Sequence, residues 1–361
     1  MKAALQRGAF GLFIALALIL THFVFIDGAS YDTLQLPEDI YFSYVEGHRL
    51  TQGQNPYARV LQGNMLDNEK YATYFPGFYL LSAAAQELGL REYNQWLAAW
   101  RIALEFFYAG TGLILLWAIS RRAGMLWGLV ALYLWLFNRW CIAVVPIAHL
   151  DPTAVFFLIL SWVLYPRRPI ASMLLLGASL AIKQLAVFLI PIYILAGWQQ
   201  AHARTWRSYA KSTFVSSAAM LAIPIILSIP FLLWNAKGYI LSIAFSATRY
   251  ANNHFQANSI DQELGWRGLA ARLPLLLALS AAYWLYMQKR LNRDSAALLV
   301  MSVFIFFNPV LYTQYMLWTI PFLLLALAAR RSINSGQLLA ENRGEVLARD
   351  CALAQDAERQ G

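Results

Sequence analysis

Between Asp27 and Tyr74 the chain collects the carboxylates Asp27, Asp32, Glu38, Asp39, Glu46, Asp67 and Glu69 among the tyrosines Tyr31, Tyr41, Tyr44, Tyr57, Tyr71 and Tyr74. Carboxylates can act as general bases, and aromatic rings pack against sugar faces, so this composition suits a sugar-handling surface. A second site of interest is Lys183, in Leu180-Ala181-Ile182-Lys183-Gln184, because an ionisable group inside an apolar stretch is expensive and is a functional candidate by default. A lysine at the outer turn between two short spans, snorkelling to the interface, would give the same pattern. Arg249 and His254 are further cations of a later polar segment. Gln314 and Tyr315 could hold phosphate or sugar hydroxyls. His149 and Asp151 flank a turn, where a hydrogen-bonding role on the acceptor side fits better than metal, for which two ligands are too few. His48 and Arg49 follow Asp39 on an expected amphipathic segment. The sequence contains no Gly-rich loop ending in Lys, no His-Glu-x-x-His and no Gly-x-Ser-x-Gly, so the commonest soluble mechanisms lack their motifs.

The elements that must position these residues are membrane helices. The 361 residues are 60% hydrophobic and 13% charged, against about 25% charged in a soluble domain. Mean hydropathy is +0.49. A net charge of +9 would suggest nucleic acid in a soluble protein. Here the basic residues fall in small clusters between apolar runs: Lys2 and Arg7, Arg121/Arg122, Arg167/Arg168, Arg204/Arg207/Lys211, Lys289/Arg290/Arg293 and Arg330/Arg331. That is the distribution of topology signals, and it argues against nucleic acid as a partner. Facing all clusters to the cytoplasm gives an all-α, polytopic bundle of about ten spans.

The expected spans are Gly8–Ile26, Trp96–Ile119, Met125–Phe137, Pro152–Tyr165, Ile170–Ile182, Leu185–Trp198, Thr213–Trp234, Leu273–Met287, Ala296–Phe307 and Tyr315–Ala329. Tyr74–Leu90 reads as an interfacial or re-entrant helix, because counting it as a crossing would misplace Arg121/Arg122. Residues 1–331 then form one membrane domain, with a first outer loop at 27–74 and a second at 235–272, and 332–361 form a charged cytoplasmic tail. Both termini lie inside. The apolar run after Lys2 and Arg7 exceeds the 7 to 15 residues of a signal-peptide core, which favours an uncleaved first helix. Cys141 and Cys351 are expected on opposite sides and suggest no disulfide framework. The 13 Trp and 19 Tyr cluster near span ends, as interfacial aromatics do. Outer loops are acidic wherever basic residues are held inside, so acidity alone assigns no role to any carboxylate.

Three stretches carry a resemblance. Glu38-Asp39 followed by Gly53-Gln54-Asn55-Pro56-Tyr57 and Tyr74-Phe75-Pro76 resembles the first outer loop of the GT-C glycosyltransferases that use polyprenol-phosphate sugars. The similarity is closest to the α-mannosyltransferases of GPI-anchor assembly and their bacterial relatives. In that group an acidic residue stands about fourteen positions before the Gly of Gly-x-x-Pro-Tyr, the place of Asp39. Asn138 through Asp151 is similar to the group's Trp-Leu-x-Asn stretch and its outer Asp-containing turn. Asn308-Pro309 with Gln314-Tyr315 and Trp318 is similar to its Asn-to-Gln-Tyr-x-x-Trp segment. Family members often carry Asp-x-Asp, whereas Pro37 stands two before Asp39, which leaves the use of a divalent cation such as Mg or Mn open.

The resemblance implies transfer of a sugar, mannose or a related hexose or pentose, from a polyprenol-phosphate donor. The acceptor would be a glycolipid, glycan or protein at the outer face. It implies Asp39 as base, with Glu38 and Glu46 as acceptor or metal contacts. Lys183, followed by Pro191 as in the family, would contact the donor phosphate. Short loops suit a bacterial inner membrane with the site on the periplasmic face, and an endoplasmic reticulum enzyme with the site on the lumenal face would read similarly. Two other readings remain: a transporter or flippase of a lipid-linked or anionic substrate, which calls for ionisable residues around a mid-membrane cavity, and a noncatalytic assembly subunit.

Overall fold

The computed structural model describes residues 2–28, 39–63, 72–145, 147–200, 205–248, 259–266, 272–308 and 311–331. The described residues are helical, without strands. The α-helices are α1 Lys2–Gly28, α2 Asp39–Thr51, α3 Gly77–Glu87, α4 Tyr93–Ala123, α5 Met125–Phe137, α6 Arg139–Ile142, α7 Asp151–Leu164 and α8 Pro169–Ile182. They continue as α9 Ile190–Gln200, α10 Trp206–Thr248, α11 Ile260–Glu263, α12 Arg272–Met287 and α13 Arg293–Phe306, closed by α14 at 316–331. Short 3-10 segments at Pro56–Leu61 and Gln184–Leu189 join α2 to the following loop and α8 to α9.

The surface identifies the solvent. Leu12, Leu16, Ile19 and Phe23 of α1 and Ile225, Ile226, Ile229 and Leu233 of α10 are exposed. Polar side chains point inward instead. Ser161 on α7 donates to Ser172 O on α8 at 2.6 Å, Ser172 Oγ returns a bond to Ser161 O at 2.7 Å, and Ser179 Oγ donates to Ala154 O at 2.8 Å. Small hydroxyl-bearing residues that lace two helices together are what packing in lipid requires, since apolar contact alone drives nothing there. Three helices, Gly8–Gly28, Tyr93–Ala123 and Trp206–Phe245, are long and apolar enough to cross a bilayer. The chain is a membrane protein.

The other expected spans appear as shorter apolar helices, including Met125–Phe137, Asp151–Leu164, Pro169–Ile182 and Arg272–Met287. A 14-residue helix such as α7 covers about 21 Å, less than the roughly 30 Å of hydrocarbon. Several boundaries differ from the sequence reading. The loop drawn from Asp27 begins too early, because α1 runs through Asp27 to Gly28. The second outer loop, drawn from Asn235, is helical as far as Thr248. Asn235 itself is non-helical (φ −157°, ψ 84°) and breaks α10, and its side chain accepts from Gly238 N–H at 2.9 Å to start the next helical stretch. The expectation of a polar loop there missed that this cap lets an apolar helix resume. Leu185–Trp198 is a 3-10 turn followed by α9 rather than one helix. Tyr74–Leu90 holds the separate helix α3, which packs on α2 and on the end of α8. Cys141 is a buried free thiol. Cys351 and the tail from 332 lie outside the described residues.

Candidate functional site

Asp39 opens α2, and its Oδ2 accepts from the Tyr74 hydroxyl at 3.1 Å. Tyr74 reaches Asp39 because the resembled Gly-to-Tyr motif builds its support. Gly53, at φ 69°, turns the chain out of α2 in a conformation that L side chains rarely adopt. Asn55 then caps the 3-10 segment by accepting from Tyr57 N–H at 3.0 Å, with Pro56 in the first helical position. Tyr57, fully buried, donates from its hydroxyl to Tyr74 O at 2.7 Å. Its ring packs edge-on against Tyr239 and Phe231 at centroid separations of 4.8 and 5.2 Å. The motif is therefore a brace: it ties α2 and the resumed part of α10 to the backbone of Tyr74.

The other half of the cluster is an ion pair. Lys183 Nζ donates to Asp151 Oδ2 at 2.8 Å, and Trp318 Nε1 donates to Asp151 Oδ1 at 2.6 Å. Both charged side chains are buried, and His149 Nδ1 lies 3.8 Å from the same Asp151 oxygen. The Lys183 ammonium faces the rings of Tyr74 at 5.3 Å and Tyr315 at 5.8 Å, within cation–π range. Tyr74 thus joins the two halves, its hydroxyl on Asp39 and its ring face on Lys183. Asp151 begins α7 and Lys183 follows the last residue of α8, so the pair sits at helix ends. Gly77 permits the meeting: a Cβ there would lie 2.5 Å from Ala181 O, so only glycine lets α3 approach α8 and bring Tyr74 beside Lys183. Gln184 reinforces the contact by donating to Thr73 O at 2.8 Å.

Comparison of the chain with protein-family models, with curated proteins and with solved structures returns no match.

Glu46 lies on α2 away from the Asp39–Tyr74 pair, buried and bound to Arg59 Nη1 at 2.6 Å, with Arg49 Nε at 3.6 Å. Burial pushes its carboxyl above the usual glutamate range, against the opposing pull of Arg59 and Arg49. Its position makes it a strut between α2 and the 3-10 segment. His48 pairs with Gln86 at 3.1 Å. Burial, with the charge of Asp39 next, pushes the Tyr74 hydroxyl well above its ordinary value, so Tyr74 stays protonated and donates. Of the remaining expected residues, Tyr315 lies beside Lys183 and Gln314 is partly exposed next to it. Glu38, Arg249 and His254 lie outside the described residues. Among the described residues no group of three or more His, Cys, Asp or Glu is arranged to hold a metal ion.

Two members of the cluster entered the sequence reading without a role. Trp318 was part of a resembled segment, and Tyr74 was one aromatic among several and the start of the resembled Tyr74-Phe75-Pro76. Nothing in their spacing announces that one would bind Asp151 and the other Asp39.

Proposed function

We propose that the chain is a membrane glycosyltransferase of the GT-C type, transferring a sugar, mannose or a close relative, from polyprenol phosphate to a hydroxyl acceptor at the membrane surface. The observation that carries the reading is the Asp39–Tyr74 pair set against the buried Lys183–Asp151 pair. Asp39 is the base. The acceptor oxygen attacks the anomeric carbon as the bond from that carbon to the phosphate oxygen breaks. The electron pair leaves with phosphate, and the hydroxyl proton passes to Asp39, inverting the anomeric centre. Tyr74 is a positioning residue: the bond its hydroxyl donates to Asp39 Oδ2 fixes the orientation of the carboxylate. Asp151 and Trp318 orient Lys183, whose ammonium supports the departing phosphate, with Tyr315 and Gln314 beside it. Glu46 braces the loop that carries Asp39.

The bacterial inner membrane with the site on the periplasmic face, and about ten spans with cytoplasmic termini, belong to the same proposal. A transporter would place its ionisable residues midway along helices around a cavity. The Lys183–Asp151 pair at helix ends favours surface chemistry.

Purified protein supplied with radiolabelled polyprenol-phosphate mannose and a membrane-glycolipid extract should form labelled product. Asp39→Asn should lower the rate about 10²–10⁴-fold with unaltered thermal unfolding. Equal transfer by the variant removes Asp39 from the mechanism, and absence of transfer from every lipid-linked sugar tried favours the transporter.

A further inference from the structure

At the end of the bundle away from Asp39, the structure assigns a binding site for the phosphate headgroup of an anionic phospholipid, in a pocket between Arg122 and Arg293. The distance between the two sites follows from α7, which carries Asp151 at its start and Trp162 eleven residues on, roughly 16 Å along the axis. This inference is independent of glycosyl transfer.

The pocket is an open depression of about 520 Å³ lined by Arg122, Arg293, Asn292, Gln199 and Tyr286 among others. Its one carboxylate, Asp294, is engaged inside the protein. Asp294 Oδ2 accepts from Arg122 Nη1 at 2.6 Å and its Oδ1 from Trp162 Nε1 at 2.7 Å. The Asn292 Oδ1 accepts from Ser295 N–H at 2.8 Å as the cap of α13. Its donors exceed those internal acceptors. Arg293 gives Nη2 to Trp162 O at 2.7 Å and lies over the rings of Trp162 and Tyr165 at 4.5 and 5.1 Å, held flat with further N–H groups on its fork. Two guanidinium groups against one carboxylate leave one positive charge in a half-buried, donor-rich cavity. An oxyanion with several acceptor oxygens, a phosphate ester above all, is the chemistry that satisfies it.

A second observation points to lipid as the source. Next to this pocket, across α14, runs an apolar groove of about 300 Å³ lined by Ile119, Trp127, Leu134, Leu324 and Leu327. It ends at Arg330 and at Arg331, whose guanidinium covers Trp127 at 4.5 Å. Ala328 borders the groove and Ala329 the pocket. An acyl chain in the groove and its phosphate in the pocket would straddle the end of α14.

The test uses full-length protein in a neutral detergent, with phosphatidylglycerol, phosphatidylcholine or glycerol 3-phosphate added, read by native mass spectrometry and thermal unfolding. Phosphatidylglycerol should remain bound and raise the melting temperature. Arg293→Gln should weaken its binding roughly tenfold or more, and Arg121→Gln, an exposed arginine outside the pocket, should leave it unchanged. Ala329→Phe, which adds bulk at the pocket while keeping every charged residue, should weaken retention and decides the matter if Arg293→Gln fails to fold. Retention equal in all three variants overturns the site. Equal retention of phosphatidylcholine overturns the anionic requirement. Protection by glycerol 3-phosphate without any lipid adduct overturns lipid as the source.

Discussion

Tyr74 is the residue on which the site turns, because it touches both Asp39 and Lys183. Its removal should be felt as chemistry rather than folding. In Tyr74→Phe the ring still covers Lys183, but Asp39 loses the hydrogen bond that orients its carboxylate. Transfer should fall about tenfold with thermal unfolding little changed, measured as kcat beside a melting curve; an unchanged kcat would deny Tyr74 its role. The Lys183–Asp151 pair should behave differently. Asp151→Asn strands a buried ammonium and should cost roughly 3–5 kcal/mol in thermal unfolding, whereas Asp151→Leu combined with Lys183→Met should recover much of that while remaining inactive. Asp39, Lys183 and Asp151 were legible in the sequence because charge is conspicuous among apolar residues. Tyr74 and Trp318 were not, since aromatic residues at span ends are ordinary in a membrane protein and only three-dimensional proximity distinguishes two of them.

At the level of elements, α2, α3 and α8 are held in register by contacts that tolerate little added volume. Gly77→Ala would drive a methyl group into Ala181 O, and should cost about 1–3 kcal/mol together with most activity, even though the residue touches no substrate. Circular dichroism melts alongside transfer assays would check it. Glu46 adds a pH signature to α2. Its carboxyl is pushed up by burial, so the native state holds that proton more tightly than the unfolded chain. The resulting stability is complete below the ordinary glutamate range and declines as pH rises through the higher native value. The melting temperature of Glu46→Gln relative to native protein should therefore improve between pH 4 and pH 7; a constant difference would contradict the sign. The sequence revealed most helices through apolar runs, and the limits of Met125–Phe137 and Arg272–Met287 lie within a residue of expectation. It ended a span at Trp234 but did not reveal that helix resumes after Asn235 and runs to Thr248, because the cap that restarts it is a single side chain.

For the molecule as a whole, the exposed apolar surface and three helices long and apolar enough to cross a bilayer among the described residues point to membrane residence, and labelling tests the proposed topology. Cysteines placed at Gln54 and Arg290, both exposed, should react with a membrane-impermeant maleimide from opposite sides of intact vesicles; labelling from the same side would overturn the arrangement. The charge clusters that drove the topology reading were legible because lysine and arginine distribution is a one-dimensional signal. The pairing of Asp151 with Lys183 is a three-dimensional one, and it bears on biogenesis. The two residues stand at the open end of a helical hairpin, α7 and α8, joined through Arg167 and Arg168. Each charge alone carries a cost of a few kcal/mol during insertion. Presented together they enter lipid as a neutral pair, so the hairpin is suited to partition as one unit, with its ion pair already formed when the neighbouring helices arrive.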